Sequence, residues 1–544
     1  MYLRNHSLKM KKQGLLYLFI SLFLVLKAQN DQVGATTQYK PNLMDAKKML
    51  IDPRVPKNTG SEIKLNYNPE EFKYYANSAI SLAPPIKYVD PVLDTSYNPN
   101  YIRLGAGNFG HKLGELYISN RANSKWAYGL SGQHLSADEN GSIRDFSTNK
   151  GSIWGSRFYG RSSMTAKMHY DRDMYRFFGF DTSKISEITN QEKKIGTSIG
   201  GSVLYDLKAI NNKPGLSVGV NFNNYYNTLS QSELEYGADL GWDYRMSHVR
   251  IFGKLDFTQL SYRQTFRTTN QSIIAFNPRA QFVNKENGVD ALVGFNLSHI
   301  FGEDEPYINP VIHAEKKLEG LKMLVYGGIN GGLQINSVRR FANTVPFTYD
   351  SIAIKNSFEK IKGYVGLKGK ITENSQFMIE IGGNAVDNMP LVVSNPDTLN
   401  SSNLVYDNVS NLFFAGDIRV SVGEKLRLGG NFRLNNYETD NEIEAFHLPL
   451  GQYGVSAQYL LNKTFVFDLG IDGIGKWYNR QLSTNQIKEE IEGYLDLHAR
   501  VDYRFKDVAR FWIQGTNLLN TNYQRYYGYN VYGATIMAGI SASF

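Results

Sequence analysis

The chain has 544 residues, 42% of them hydrophobic, with 36 Tyr, 30 Phe, 49 Gly and only 16 Pro. It contains no cysteine, which excludes a disulfide framework, a thiolate metal site and a lipid anchor on cysteine. The formal charge is +8, yet Arg4, Lys9, Lys11, Lys12 and Lys27 lie in the first 28 residues with no acid beside them. The remainder carries 54 basic and 51 acidic residues, so a nucleic-acid role has no electrostatic support.

The N-terminus reads as a secretory signal. Lys9, Lys11 and Lys12 precede an apolar run from Leu15 to Leu26, and cleavage after Ala28 follows from the pattern. The run is too short for a membrane helix, which needs about 20 residues. Translation starts at Met1 or at Met10; both openings fit. Residues 29–100 hold half of all the prolines and only short apolar pieces, such as Ile63–Tyr67 and Tyr74–Leu82. This stretch is expected to be an extended periplasmic segment.

From Tyr101 the chain becomes a meander of segments with alternating apolar positions. Short connections are expected at Arg121–Ser124, Asp171–Asp173, Lys285–Gly288, Gly423–Lys425 and Lys506–Val508. Longer polar ones are expected at Ala137–Lys150, Phe180–Glu192, Val345–Ser357, Asn395–Ser402 and Gln481–Lys488. Alternating short and long connections are the mark of an outer-membrane barrel. The fold class is therefore all-β: a large antiparallel transmembrane barrel of 20–22 strands, with short periplasmic turns and longer extracellular loops. The best count is 22, running from 101–108 to 532–544. It includes strands at 152–170, 174–179, 321–341, 446–461, 464–480 and 489–505.

Three segments fix the two faces. Leu495, Leu497, Ala499, Val501, Tyr503 and Phe505 alternate with Asp496, His498, Arg500, Asp502 and Arg504. Phe465, Phe467, Leu469, Ile471 and Trp477 oppose Asp468, Asp472 and Lys476, and Leu426, Leu428, Phe432 and Leu434 oppose Arg427 and Arg433. With Asp417 and Arg419, these charges are expected to face a wet lumen. In the last strand Ala534, Ile536, Ala538, Ile540, Ala542 and Phe544 form one apolar face, and Phe544 is the expected assembly signal.

Residues 488–544 carry a family resemblance. Leu495–Phe505 leads to Trp512-Ile-Gln-Gly-Thr-Asn-Leu-Leu-Asn520, with Tyr523, Gly528 and Tyr529 next and a final strand ending in Phe544. The element Asn517, Leu518, Leu519, Asn520 and Tyr523 resembles the closing strands of TonB-dependent receptors. The Tyr- and Gly-rich style, as in Asn108–Tyr117, resembles the Bacteroidetes type. The resemblance spans about 101–544. It implies a 22-stranded barrel and uptake of a bulky nutrient across the outer membrane; the family couples to TonB, but the sequence shows no TonB box, so that partner stays open alongside other outer-membrane or periplasmic proteins. The family's plug domain would have to be missing or reduced to residues 29–100. The alternative is a non-transporting barrel serving as a subunit of a larger outer-membrane assembly, with 29–100 as its docking strap. If 29–100 plugs a transporter, its deletion should raise conductance; if it is a strap, deletion should cost a partner.

Other candidate sites are less specific. The nine histidines include no pair with metal-ligand spacing, and no cofactor motif is present. His498 beside Asp496 and Asp502 is the one cluster suggesting hydrolysis, though a ladder of lumenal charges explains it better. Trp126, Trp154, Tyr159, Trp242, Tyr244, Trp477, Tyr478, Tyr503 and Phe505 are mostly expected in interfacial girdles. Glu303-Asp304-Glu305 reads as a solvated loop tip.

Overall fold

Period-two alternation over more than 400 residues leaves one way to satisfy backbone polar groups in lipid, a sheet closed on itself. The computed structural model describes residues 100–544, apart from 121–124, 140–143, 180–192, 211, 285–286, 319, 350–351, 373, 396–400, 463, 483–487 and 506–508. The predicted signal, residues 29–99 and the turns at Arg121–Ser124 and Lys506–Val508 lie outside the described residues. So do the whole of the Phe180–Glu192 loop and parts of several others.

Twenty-two strands form a single antiparallel sheet, each paired with its neighbours along the chain. The first, Tyr101–Gly107, pairs with the last, Thr535–Ser543, from Tyr101↔Ser543 to Gly107↔Met537, which closes the barrel. The seam is tight because side chains are missing where they would collide. A Cβ on Gly105 or Gly539 would run into the Trp512 indole, which is buried on the inner face.

The outer face is apolar and uncovered. In strand Gly215–Asn227, Leu216, Val218, Val220 and Phe222 are 40–52% exposed, while Ser217, Gly219, Asn221 and Asn223 alternate with them on the inner face. The same pattern recurs around the wall, through Leu412 and Phe414, Leu469 and Ile471, and Ile536 and Ile540. So large a continuous apolar surface is stable against lipid and not against water.

Both ends of the wall lie together at one rim. Phe544 N donates to Asn100 O at 3.1 Å, and the Phe544 ring is 56% exposed. Tight turns sit at this rim, including Gly160–Arg161 and Gly423–Lys425, with Gly160 and Gly423 both at φ +61°. The opposite rim carries the long connections.

Several expected boundaries move. The expected turn at Asp171–Asp173 is strand interior, because Gly160 takes the left-handed turn instead. The strands are Phe146–Tyr159 and Ser162–Arg176, in place of 152–170 and 174–179. The 321–341 strand stops at Gln334 and is followed by a helix, α1, Val338–Thr344. The strands expected at 446–461, 464–480 and 489–505 contract to Gly451–Leu460, Phe465–Ile474 and Tyr494–Phe505. Trp477–Asn479 and Glu489–Ile491 form a separate small hairpin.

Candidate functional site

The described parts of the long connections do not stand apart in solvent. They fold together over the far rim as a cap with two apolar cores. One core joins Phe177, Tyr225, Leu260 and Tyr262 from the wall to Val338, Phe341, Val345, Ile352 and Ile354 from residues 335–356, and to Val392, Leu404, Tyr526 and Tyr529. The other joins Leu391, Val393 and Val409 to Ala445, Phe446 and Tyr478. The contributing strands lie on both sides of a wide barrel, so their contact requires loops that cross the opening.

The longest hairpin, Ser375–Asn395 with Ser401–Val422, shows how this is done. A register shift between Val386 and Met389 ends the regular pairing. Beyond it both faces are covered, Val392 and Leu404 by the first core, Leu391 and Val393 by the second. The tip is also bridged on each side, by Ser402 N to Phe347 O (2.9 Å) and by Ser394 N to Arg480 O (3.0 Å).

Residues 335–356 are tied to the inner wall by polar contacts. Glu233 on the wall accepts from Ser337 Oγ and from Arg339 N, both at 2.9 Å, and so caps the N-terminus of α1. Arg339 Nη2 reaches Glu235 Oε2 at 2.6 Å, and Arg340 lies 3.6 Å from the same carboxylate. Lys194 Nζ donates to both oxygens of Thr348 at 2.7 Å, and Gln264 exchanges two bonds with Ile352 at 2.8 Å. Tyr526 Oη, from the last loop, donates to Thr344 O at 2.5 Å. Phe347 stacks on Tyr529 at 3.6 Å and 16°, with Tyr526, Phe178, Tyr175 and Phe177 rings within 6.4 Å.

His447 sits inside the cap at φ +62°, stacked on Tyr526 at 5.0 Å and edge-on to Trp477 at 4.7 Å. Burial among these rings pushes its pKa down to about 4, so the imidazole is neutral at pH 7.

The charges expected in the lumen occupy inner-face positions, alternating with exposed apolar residues. Asp417 and Arg419 lie 3.3 Å apart, opposite in facing to Phe414 and Ile418. Arg427 reaches Gln458, which donates to Asp468 at 2.8 Å, and Arg433 lies 4.0 Å from the Phe413 ring. Arg500 pairs with Asp502 at 2.7 Å and with the Trp512 face at 5.9 Å. Asp472 lies 3.7 Å from His498 Nδ1.

Asp496 belongs instead with the family-like motif. It accepts from Asn517 N at 2.8 Å and from Tyr523 Oη at 2.6 Å, while Tyr523 stacks on Tyr494 at 3.8 Å. Asn517 and Asn520 both adopt positive φ. Asn517 Nδ2 donates to Thr521 O and Tyr532 O, and Asn520 Oδ1 accepts from Ala534 N. Leu518 packs on Gly515 and Leu519 is 49% exposed. These residues fold the last connection back onto the wall. Asp496 and Asp502 are thus engaged away from His498, and the hydrolase cluster does not assemble. Among the described residues no three His, Asp or Glu are grouped to hold a metal ion.

The girdle residues divide. Trp126, Tyr159, Trp242, Tyr244, Tyr503 and Phe505 are outward, and Arg157 packs on Trp126 and Tyr159 at 4.9 and 4.8 Å. Trp154 faces inward across from Gly129, and Trp477 and Tyr478 are buried in the cap. Sequence reasoning missed the cap because its residues, such as Val345, Ile352 and Ile354, sit in a stretch without periodicity.

The arrangement defines a class by shape, a closed 22-stranded barrel with a lipid-compatible outside, a charged inside and one covered mouth. No family model and no curated protein matches the chain. Solved structures with this fold do. The ferric-catecholate import receptor Fiu of E. coli K12 matches at TM-score 0.62 and 10% identity, over 82% of this chain and 83% of that one. The siderophore receptor PirA of Acinetobacter baumannii matches at 0.63 and 10%, over 82% and 80%. The FrpB iron transporter of Neisseria meningitidis matches at 0.63 and 9%, over 82% and 81%. These are likenesses of fold.

Proposed function

We propose that the protein is an outer-membrane barrel that admits a bulky solute, in the manner of the TonB-dependent receptors whose fold it shares. The observation that carries this reading is the closed wall of 22 strands, apolar outside and charged inside. A wall of that size encloses more space than its own side chains fill, since 16–18 strands already leave an aqueous channel. In this reading the rim where both ends of the wall meet faces the periplasm and the cap faces outward. Residues 1–28 are a removed signal, and 29–100 are a reduced plug within reach of TonB or another periplasmic protein. Heat-modifiable gel mobility and outer-membrane fractionation check the location. A deletion strain should lose growth on one class of nutrient supplied as sole source, and loss of TonB should reproduce that defect. Normal growth on every source, with the barrel abundant in wild-type cells, overturns the uptake reading.

The covered mouth favours a second reading, a barrel that passes no solute and serves as a subunit of an outer-membrane assembly. Mild-detergent purification decides between them. A stoichiometric partner that is lost when 29–100 is deleted supports the subunit, and an isolated barrel supports uptake.

A further inference from the structure

Residues 335–356 leave and rejoin the wall at the paired residues Gln334 and Ser357. The wall therefore does not need them, since its register runs from Met323↔Gly369 to Gln334↔Ser357 without them. The segment nevertheless reaches both sides of the mouth. On one side it meets Lys194, Glu233, Glu235 and Gln264 of three wall strands, and on the other Ser402, Tyr526 and Tyr529. Beside the hydrogen bonds of Lys194 to Thr348, Gln264 with Ile352 and Tyr526 to Thr344, two attachments differ in kind. The aromatic seat of Phe347 holds by packing. The Arg339 contacts with Glu233 and Glu235 hold by charge, in partly buried surroundings where salt screens them little.

We propose that residues 335–349 and 352–356 form a stopper that the protein sets in its own outer mouth, seated by Phe347 and latched by Arg339 on Glu233 and Glu235. This deepens the uptake reading by giving that channel an outer gate built from the wall's own loop. It also changes what deletion of 29–100 measures, because the mouth stays covered when the N-terminal segment is gone. Release needs the ring unseated, the carboxylates parted and the hydrogen bonds to Lys194, Gln264 and Tyr526 broken, so a passenger or partner opens the gate by competing for these contacts.

The absence of native cysteine makes the test direct. Asn221 is an exposed inner-face residue of the wall, and Phe266 is an outer-rim residue that is 87% exposed. Full-length Asn221→Cys and Phe266→Cys proteins are labelled in intact cells with a bulky membrane-impermeant maleimide. Phe266→Cys should label fully and Asn221→Cys poorly. Adding Arg339→Ala, or replacing 338–349 by a Gly-Ser linker, should raise Asn221→Cys labelling tenfold or more in barrels that keep heat-modifiable mobility. A separate pair, Thr348→Cys with Ser402→Cys at a bridged position, should form a disulfide. In the Arg339→Ala background that disulfide should return bilayer conductance to the wild-type level until a reductant is added. Two results overturn the stopper: Asn221→Cys labelling as fast as Phe266→Cys in the otherwise unaltered protein, or no gain from either stopper variant. Failure of uptake with the labelling pattern intact would instead overturn the uptake reading and leave the stopper standing.

Discussion

Replacing Asp496 by alanine isolates the anchor of the last connection. The carboxylate accepts two bonds, from Asn517 N at 2.8 Å and Tyr523 Oη at 2.6 Å. Hydrogen bonds to a charged group contribute about 1.5–3 kcal/mol each, and stranding buried donors adds to the loss. The expected cost is about 3–5 kcal/mol, or at least roughly 100-fold in the local opening constant at 1.36 kcal/mol per tenfold. The loss is local, because the strand pairings from Ala499↔Gly515 to Phe505↔Ala509 and from Ala509↔Ala542 to Thr516↔Thr535 remain. Hydrogen exchange across 517–534, with limited proteolysis as a second readout, should show that opening, while heat-modifiable mobility stays unchanged. Tyr523→Phe removes one bond and should give about half the effect. In a double-mutant cycle the two changes should couple by about 1 kcal/mol or more, as contacting residues do. Unchanged protection of 517–534 in Asp496→Ala would refute the anchoring role of the carboxylate.

Gly105→Val and Gly539→Val should each strip most of the heat-modifiable band, because the added side chain meets Trp512 at the closing seam; folded yield equal to wild type would show that the seam can relax. Deleting Phe544 should lower the membrane-embedded fraction more than any single outer-loop deletion, measured by urea extraction of membranes. Lowering the pH should loosen the cap through His447. Its folded pKa, about 4, lies below the unfolded value near 6.5, so the contribution is fully present above about pH 6.5 and is lost as pH falls towards 4. The loss reaches at most about 3 kcal/mol, and less where water reaches the ring. Protease sensitivity of 440–450 should rise between pH 6.5 and 4.5 in the wild type and stay flat in His447→Asn, since asparagine tolerates the positive φ.

The sequence alone determined the wall. A strand in lipid has only two environments, so period-two alternation through Phe465–Ile471 and Leu495–Phe505 fixes facing residue by residue, and turn lengths fix the count. It also located the Asn517–Tyr523 element, although not its contact with Asp496. The turn at Gly160 escaped because a meander with charged inner positions such as Asp171 and Asp173 resembles a polar turn when each is read alone. The cap was decided only in three dimensions. Ile352, Phe347, Val392, Tyr526 and Phe446 sit in connections with no period, and nothing local says which apolar loop residue meets which. Barrel closure does, by bringing loops as far apart in the chain as those of Phe178 and Tyr529 to the rim of one opening, where burying their side chains together removes apolar area from water.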